Sequence, residues 1–213
     1  MIGGREYHQG DHVCAFYSSR AEQVEAAVEF IKAGLLHCER CLYVCCEQEA
    51  SDMRTALRKA GVHVETEEQR TALVILKKGQ AHLAGGSFDP ARMIDLLEAA
   101  TRDALAAGFE GLCVSGDMSW LLDEAPGSEK LVQYEAQLNQ FFHSHRALGL
   151  CLYDRRTLPS ETLDHSLATH VAVRVSGARL VANPFYEDSD QAMFRSPRAD
   201  GVQERIDQIV APT

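Results

Sequence analysis

The sequence predicts an α/β domain built on a doubly wound, mostly parallel sheet. Segments with apolar residues at helical spacing alternate with short, continuous apolar runs, the order typical of strands connected by helices. The chain has 213 residues, 46% of them apolar, which is enough for one large core. No internal repeat of solenoid length accompanies this alternation. We therefore expect one layered domain.

The first half of the chain contains three predicted strands, each a short apolar run: His12–Tyr17, Cys41–Cys46 and Ala72–Leu76. Ser19 and Glu22 have capping-box spacing, so a helix is expected to begin directly after the first strand. A second helix is predicted from Ser51 to Ala60, because Gly61 is a typical helix end. The second strand is apolar on both faces, as in a parallel sheet covered by helices.

The second half predicts two more strands, Gly111–Ser115 and Leu148–Tyr153, and a closing antiparallel hairpin of Val171–Val175 and Arg179–Val181 joined at Ser176 and Gly177. Asp89 before Pro90 indicates a helix start, because the carboxylate caps the helix and Pro fits its first turn. That helix should run to Gly108. Further helices are predicted from Ser128 and over Ser160–Thr169.

A polar break after Tyr186, Glu187–Asp190, divides the predicted domain, residues 1–187, from a tail, residues 188–213. A short helix is expected from Gly201 to Val210. Its apolar stripe of Val202, Ile206 and Ile209 predicts a contact with a second subunit, as a homodimer or a partner complex.

Charge and composition exclude several classes of protein. The 21 basic and 31 acidic residues give a net charge of −10, which repels a polyphosphate, so direct nucleic-acid binding is not expected. The chain has no apolar run of roughly 18 residues and no signal-peptide pattern at its start, so we predict a cytoplasmic protein without a membrane span. Seven cysteines in a reducing compartment predict free thiols, without a structural disulfide.

The connection from the first strand to the first helix is where a phosphate loop would lie. It reads Tyr17-Ser18-Ser19-Arg20, without the glycines that let backbone N–H groups approach phosphate and without the loop lysine. Asp117 does end a strand, where an acid that holds magnesium would lie. We nevertheless predict that nucleotide chemistry is absent.

Six short segments, in order along the chain, resemble one known family: Gly10–Cys14, Gly116–Trp120, Tyr134–Asn139, Cys151–Asp154, Thr169–His170 and Asn183–Tyr186. The family is MEDS, the methanogen/methylotroph sensory domains found in dichloromethane-responsive regulators. The resemblance implies a RecA/KaiC-like fold without a working phosphate loop, serving as a ligand-sensing module in prokaryotic signal transduction. Because the chain ends soon after these motifs, we expect its output to pass to a separate signalling protein, a kinase or a regulator.

Histidines and cysteines form the main candidate constellation. In a RecA-like strand order the fifth strand lies beside the first, so Cys14 and Cys151 should approach each other, with His12 and His170 nearby. This set suits a soft metal site or a polar-edged pocket, although buried packing is the simpler interpretation and no metal is assigned. The C-x-x-C pair Cys38 and Cys41, like Cys45 and Cys46, is interpreted as packing rather than as a metal or redox site.

Three segments, 12–14, 116–120 and 151–154, are expected at or near the carboxyl ends of strands, where open α/β sheets bind ligands. The candidate ligand-binding residues are His12, Cys14, Tyr17, Asp117, Trp120, Tyr134, Cys151, Tyr153, Asp154 and His170. The aromatic members could line a cavity closed by the loop over 122–127.

The predicted function is a non-enzymatic sensory or regulatory domain that binds a small ligand, such as a simple hydrocarbon derivative. Asp117, Glu135 and His170 could act as acid and base partners, but no nucleophile motif accompanies them. Neither a catalytic residue nor a cofactor is assigned. Two alternatives remain, a degenerate RecA-like ATPase and a sensor based on thiol or metal redox chemistry.

Overall fold

A computed structural model describes residues 6–46, 49–175, 179–188, 192, 194 and 196–210. The strands are β1 (His12–Tyr17), β2 (Arg40–Cys45), β3 (Leu73–Lys77), β4 (Leu112–Asp117), β5 (Ala147–Asp154), β6 (Ala172–Val175) and β7 (Arg179–Ala182). The helices are α1 (Arg20–Leu36), α2 (Ala50–Lys59), α3 (Val64–Gln69), α4 (Pro90–Ala106), α5 (Leu131–Ser144), α6 (Ser160–Thr169) and α7 (Val202–Val210). The strand and helix order confirms the predicted α/β fold.

The seven strands form one sheet in the order β3-β2-β4-β5-β1-β6-β7. Every pairing is parallel except that of β6 with β7, which is antiparallel. The fifth strand lies beside the first as predicted, and Cys14 is the register partner of Cys151. The hairpin is also confirmed, although its predicted turn at Ser176 and Gly177 lies outside the described residues.

Helices cover both faces of the sheet. Alternate strand residues such as Val13 and Tyr43 pack against α1 and α2, through Phe30 and other apolar side chains. The intervening strand positions, for example Phe16, pack on the other face against α4, α5, α6 and α7. Each buried strand face therefore has its own core, which explains the continuous apolar runs in the sequence.

The structure adds several short elements that the sequence pattern does not indicate. Helix α3 buries only Val64, so it carries no periodic apolar signal. The segments Lys78–Gln80, Ala84–Gly86 and Met118–Asp123 are 3₁₀ turns. The helix predicted from Ser128 begins with a further 3₁₀ turn.

Helix α7 confirms the short helix predicted in the tail, but its surroundings correct one prediction. Val202 and Ile206 are buried in the core that α4, α5 and α6 share, and Ile209 packs partly against it. Arg205 pairs with Asp164 of α6, with 2.8 Å between Nη2 and Oδ1. The stripe is therefore used within the chain, which removes the reason for expecting a subunit contact through it, while a homodimer or a partner complex stays a prediction.

None of the helices within the described ranges combines the length and the apolar character that crossing a membrane requires.

Candidate functional site

The structure divides the predicted site residues between the two faces of the sheet. Those on the α4–α7 face are His12, Cys14, Trp120, Tyr134, Cys151, Tyr153 and His170. Tyr17 and Asp117 meet at the carboxyl edge, with Asp154 at the end of β5. The expected common position at strand carboxyl ends is wrong for His12, which begins β1, and for Cys14 and Cys151, which lie within their strands. Because side chains alternate, neighbouring motif residues point into different layers.

Four of the buried side chains converge into what we call the interior cluster: His12, Glu135, Cys151 and His170. Glu135 extends from the middle of α5, and its Oε2 lies 3.4 Å from His12 Nε2 and 3.5 Å from His170 Nε2. Cys151 Sγ lies 3.5 Å from His12 Nε2. Tyr153 donates its hydroxyl proton to Glu135 Oε1 over 2.7 Å. Four separate elements thus place polar groups at one point inside the core.

Backbone and amide partners hold both imidazoles in one orientation. Asn139 donates from Nδ2 to the Thr169 carbonyl, so its Oδ1 faces His12 Nδ1 at 2.8 Å and accepts a hydrogen bond from the Nδ1–H. His170 Nδ1 lies 2.7 Å from the Ser166 carbonyl oxygen, which can only accept. Both rings therefore carry the proton on Nδ1 when neutral, and both Nε2 lone pairs point toward Glu135.

Burial controls the ionisation of this cluster. It raises the pKa of the Glu135 carboxyl to about 7, opposed by the hydrogen bond from Tyr153. It lowers the pKa of His12 to about 4, opposed by the hydrogen bond to Asn139. Burial and then the proximity of His12 lower the pKa of His170. The imidazoles are therefore neutral near pH 7, and the carboxyl is close to its midpoint.

An apolar cavity of about 30 Å³ adjoins the interior cluster. It lies between the sheet and helices α4 and α5, and Cys151 belongs both to its wall and to the cluster. Its lining also includes Val44, His82, Met93, Leu97, Val114, Gly116, Met118, Tyr134, Leu138, Phe142 and Gly149. The cavity therefore has a mostly apolar lining that shares Cys151 with the polar interior cluster.

The predicted aromatic residues have different positions around this cavity. Tyr134 is in its wall and makes an edge contact with Phe88, with ring centroids 5.2 Å apart. Trp120 is fully buried behind the wall, stacked on His82 at 5.0 Å. Tyr153 faces Glu135 instead. Sequence reasoning missed His82, because an isolated histidine between two short 3₁₀ turns carries no periodic signal.

A second polar group lies at the carboxyl edge of the sheet, on the α1 face. Tyr17 donates its hydroxyl proton to Asp117 Oδ1 over 3.2 Å, and Ser119 donates to Asp117 Oδ2 over 2.7 Å. Cys46 Sγ is 3.0 Å from Ser119 Oγ, and burial followed by the charge of Asp117 raises the pKa of Glu49. Cys46 therefore contacts polar groups, which corrects its packing interpretation.

The other cysteines are mostly buried. Cys41 and Cys45 lie in the core on the α1 face, as expected for packing residues. Cys38 is exposed, so its packing interpretation is wrong. It lies in the turn after α1, with a positive φ of 57°.

The amino end of α1 is satisfied by the chain's own side chains. Ser19 Oγ accepts from the Glu22 N–H at 3.3 Å, and Glu22 Oε2 accepts from the Ser18 N–H at 2.7 Å. Asp117 and Glu49 lie at the same edge, and Tyr17 bridges toward them. A carboxylate thus occupies the helix end at which a phosphate would bind, and further acids would repel it.

We expect no magnesium-dependent binding of ATP at millimolar concentration. The reason is that Glu22 already accepts at the α1 terminus, while Asp117 and Glu49 add negative charge. Isothermal titration calorimetry of the purified chain with magnesium and ATP checks this. Micromolar affinity would contradict it.

Comparisons with known proteins agree with this geometry. A family model described as MEDS, methanogen/methylotroph, DcmR sensory domain, matches residues 11–171. The transcriptional repressor DcmR of Methylorubrum extorquens is 25% identical over 171 residues, which cover 80% of this chain and 62% of the repressor. The chain thus spans about 62% of the length of that relative.

A solved structure of a KaiC-like protein from Pyrococcus horikoshii superposes with a TM-score of 0.57 and 15% identity, covering 78% of this chain and 71% of that one. This likeness confirms the KaiC-like fold and does not extend to activity. The family match covers most of the chain and includes every residue of the interior cluster. The chain therefore belongs to the MEDS family of sensory domains.

Proposed function

We propose that this domain is a non-enzymatic sensor that binds a small, largely apolar molecule, such as a simple hydrocarbon derivative, in the cavity beside the interior cluster. The observation that carries the proposal is the cavity itself, whose lining is mostly apolar and shares Cys151 with the polar interior cluster. Such a combination binds small molecules through apolar contact and orients them through a few polar groups. The related DcmR protein is a transcriptional repressor, which supports a regulatory role.

The size of the cavity restricts the ligand. A volume of about 30 Å³ holds on the order of one water-sized group, so a molecule of a few heavy atoms requires movement of the lining. Met93 and Met118 supply that movement, because methionine is unbranched and has three rotatable bonds. A halogenated methane, which has few heavy atoms and little polarity, would therefore fit only when these side chains move.

Helix α5 connects the cavity with the surface. Its inner side provides Tyr134, Leu138 and Phe142 to the cavity wall. Its outer side lines an open groove of about 660 Å³, with contributions from Gln137 and His143. A ligand that displaces α5 outward therefore changes the shape of the groove, and a separate signalling protein can detect that change.

The two alternatives predict different behaviour. A degenerate ATPase requires nucleotide affinity, which the acidic carboxyl edge opposes. A redox sensor requires an accessible thiol pair, whereas burial raises the pKa of both Cys14 and Cys151 and disfavours their thiolates. These observations favour ligand binding in the cavity.

We expect dichloromethane to shift the methyl NMR signals of Met93 and Met118 in protein labelled with ¹³C-methyl methionine. Both side chains line the cavity, whereas Met53 is buried on the opposite face of the sheet and serves as the internal control. Val114→Leu adds one methylene to the wall, on the order of the cavity's own volume, and should abolish the shifts while the protein stays folded.

Two outcomes would contradict this proposal. One is a saturable shift of Met53 without a shift of Met93 or Met118. The other is unchanged binding in Val114→Leu, which would place the ligand outside the cavity.

A further inference from the structure

We propose that the interior cluster is a tetrahedral site for one divalent transition-metal ion, with Zn²⁺ as the best match. The donors are Nε2 of His12, Nε2 of His170, Oε2 of Glu135 and Sγ of Cys151. The inference goes beyond ligand sensing in the cavity and stands independently of it. It rests on donor spacing, lone-pair direction and charge.

Three of the donor-to-donor distances match those of a tetrahedral zinc site. Zinc bonds of about 2.0–2.1 Å to nitrogen or oxygen and about 2.3 Å to sulfur place tetrahedral donors roughly 3.3–3.4 Å apart for N and O, and roughly 3.6 Å for N and S. The structure has 3.4 and 3.5 Å between the imidazole Nε2 atoms and Glu135 Oε2, and 3.5 Å between His12 Nε2 and Cys151 Sγ. All four donors lie within 4.8 Å of one another.

The direction of the lone pairs also favours a metal ion between the donors. With Nδ1 of both histidines donating elsewhere, both Nε2 atoms present lone pairs to Glu135 Oε2. Glu135 Oε2 and His170 Nε2 are buried without a hydrogen-bond partner. Three acceptors that face one another repel unless a proton or a metal ion lies between them.

The surrounding hydrogen bonds are those that orient metal ligands. Metal-bound histidines characteristically donate their second ring N–H to a carbonyl or carboxyl oxygen, which fixes the tautomer. Here Asn139 Oδ1 accepts the hydrogen bond from His12 Nδ1, and the Ser166 carbonyl oxygen accepts the one from His170 Nδ1. Tyr153 holds the other oxygen of Glu135, so the carboxylate presents Oε2 to the cluster.

Charge and donor type select the ion. A divalent cation with one carboxylate, one thiolate and two neutral imidazoles gives a net charge of zero, which is compatible with complete burial. The ion itself favours deprotonation of the thiol. Nitrogen and sulfur donors disfavour Ca²⁺ and Mg²⁺, and a tetrahedral N₂OS set favours Zn²⁺, with Co²⁺ as its spectroscopic substitute.

The test uses the full chain, stripped with a chelator, dialysed and titrated with Co²⁺ and Zn²⁺. We expect one ion per chain, and with Co²⁺ a thiolate-to-metal charge-transfer band together with the visible bands of tetrahedral cobalt. Cys151→Ala should remove the charge-transfer band. Cys14→Ala is the matched control, because Cys14 is the buried register partner of Cys151 and is not a donor, and it should retain the band.

Affinity provides a second readout. His170→Ala removes a donor and should weaken Zn²⁺ binding by about 100-fold or more, whereas Asn139→Ala removes only the partner of His12 and should weaken it by roughly 10–100-fold. Near-ultraviolet circular dichroism of each stripped variant verifies folding. Asn139→Ala retains all four donors, so it tests the site even where a donor variant does not fold.

Three results would overturn the proposal. The first is a folded, stripped protein that takes up no Co²⁺ or Zn²⁺, which would leave a proton on Glu135 as the occupant. The second is stoichiometric uptake that neither Cys151→Ala nor Asn139→Ala changes. The third is a charge-transfer band lost in Cys46→Ser and kept in Cys151→Ala, which would place the ion at Cys46, Glu49 and Asp117 on the carboxyl edge.

Discussion

Replacing Ile206 by alanine is expected to lower the free energy of unfolding by about 2–5 kcal/mol. Ile206 is 0% exposed and is the most deeply buried residue of α7, in the core shared with α4, α5 and α6. The substitution leaves a cavity under the helix, which Val202, Ile209 and a few polar contacts then hold. One of these is the ion pair between Arg155 and Asp207, at 2.7 Å and with an exposed carboxylate, which contributes about 1 kcal/mol at most.

Urea unfolding of Ile206→Ala and of the parent chain measures the loss. Ile209→Ala is the matched control, because Ile209 is only partly buried in the same helix and should lose less. Light scattering should show one mass for all three proteins. A lower mass for Ile206→Ala without a loss of stability would contradict this prediction and return α7 to the role of a subunit contact.

Gly149→Ala is expected to lower the free energy of unfolding by about 3 kcal/mol, and Gly149→Val by more. A Cβ at this strand position would lie 2.3 Å from Phe142 Cζ and within 3.0 Å of both Cε atoms. Phe142 cannot withdraw easily, because its ring stacks on His12 at 5.1 Å and contacts Phe141. Glycine at position 149 therefore leaves the room that the tip of the Phe142 ring occupies beside the cavity.

A double-mutant cycle with Phe142→Ala isolates this effect. The clash disappears when the ring is removed, so the double variant should lose less stability than the sum of the single variants, by at least about 1 kcal/mol. Gly116→Ala is the control, since its Cβ would meet nothing closer than His82 Cε1 at 3.4 Å. Additive losses would show that Phe142 does not cause the cost of the substitution.

The local pattern of apolar and capping residues was sufficient to predict most of the strands and helices. Strand β1 begins and ends where its short apolar run predicts, and α6 covers the predicted Ser160–Thr169. The cap at Ser19 also forms as its spacing indicates. These features depend on residues within one or two turns of each other, so a linear reading contains the required information. Helix α3 escaped prediction because it buries a single side chain.

The candidate site could be predicted only in part. His12, Cys151 and His170 were expected near one another, because the strand order that the family resemblance implies places β5 beside β1. Glu135 was named only as a candidate acid or base beside Asp117 and His170. Its sequence neighbours show that it belongs to a helix, but not which residues it contacts. Its distance to the two histidines depends on the rotation of α5 against the sheet, where Phe142 of α5 lies close to Gly149.

The sequence by itself determined the fold class, the strand and helix order, the family and the loss of the phosphate loop, because each follows from short-range spacing or from residue types at one place. Only the tertiary structure decided that α7 buries its apolar stripe, that Tyr17 and Asp117 meet on the face opposite His12, and that two Nε2 lone pairs converge on Glu135. These outcomes depend on contacts between residues more than thirty positions apart. The packing of side chains between the sheet and the helices selects such contacts. The periodicity of apolar residues within one element does not encode that packing.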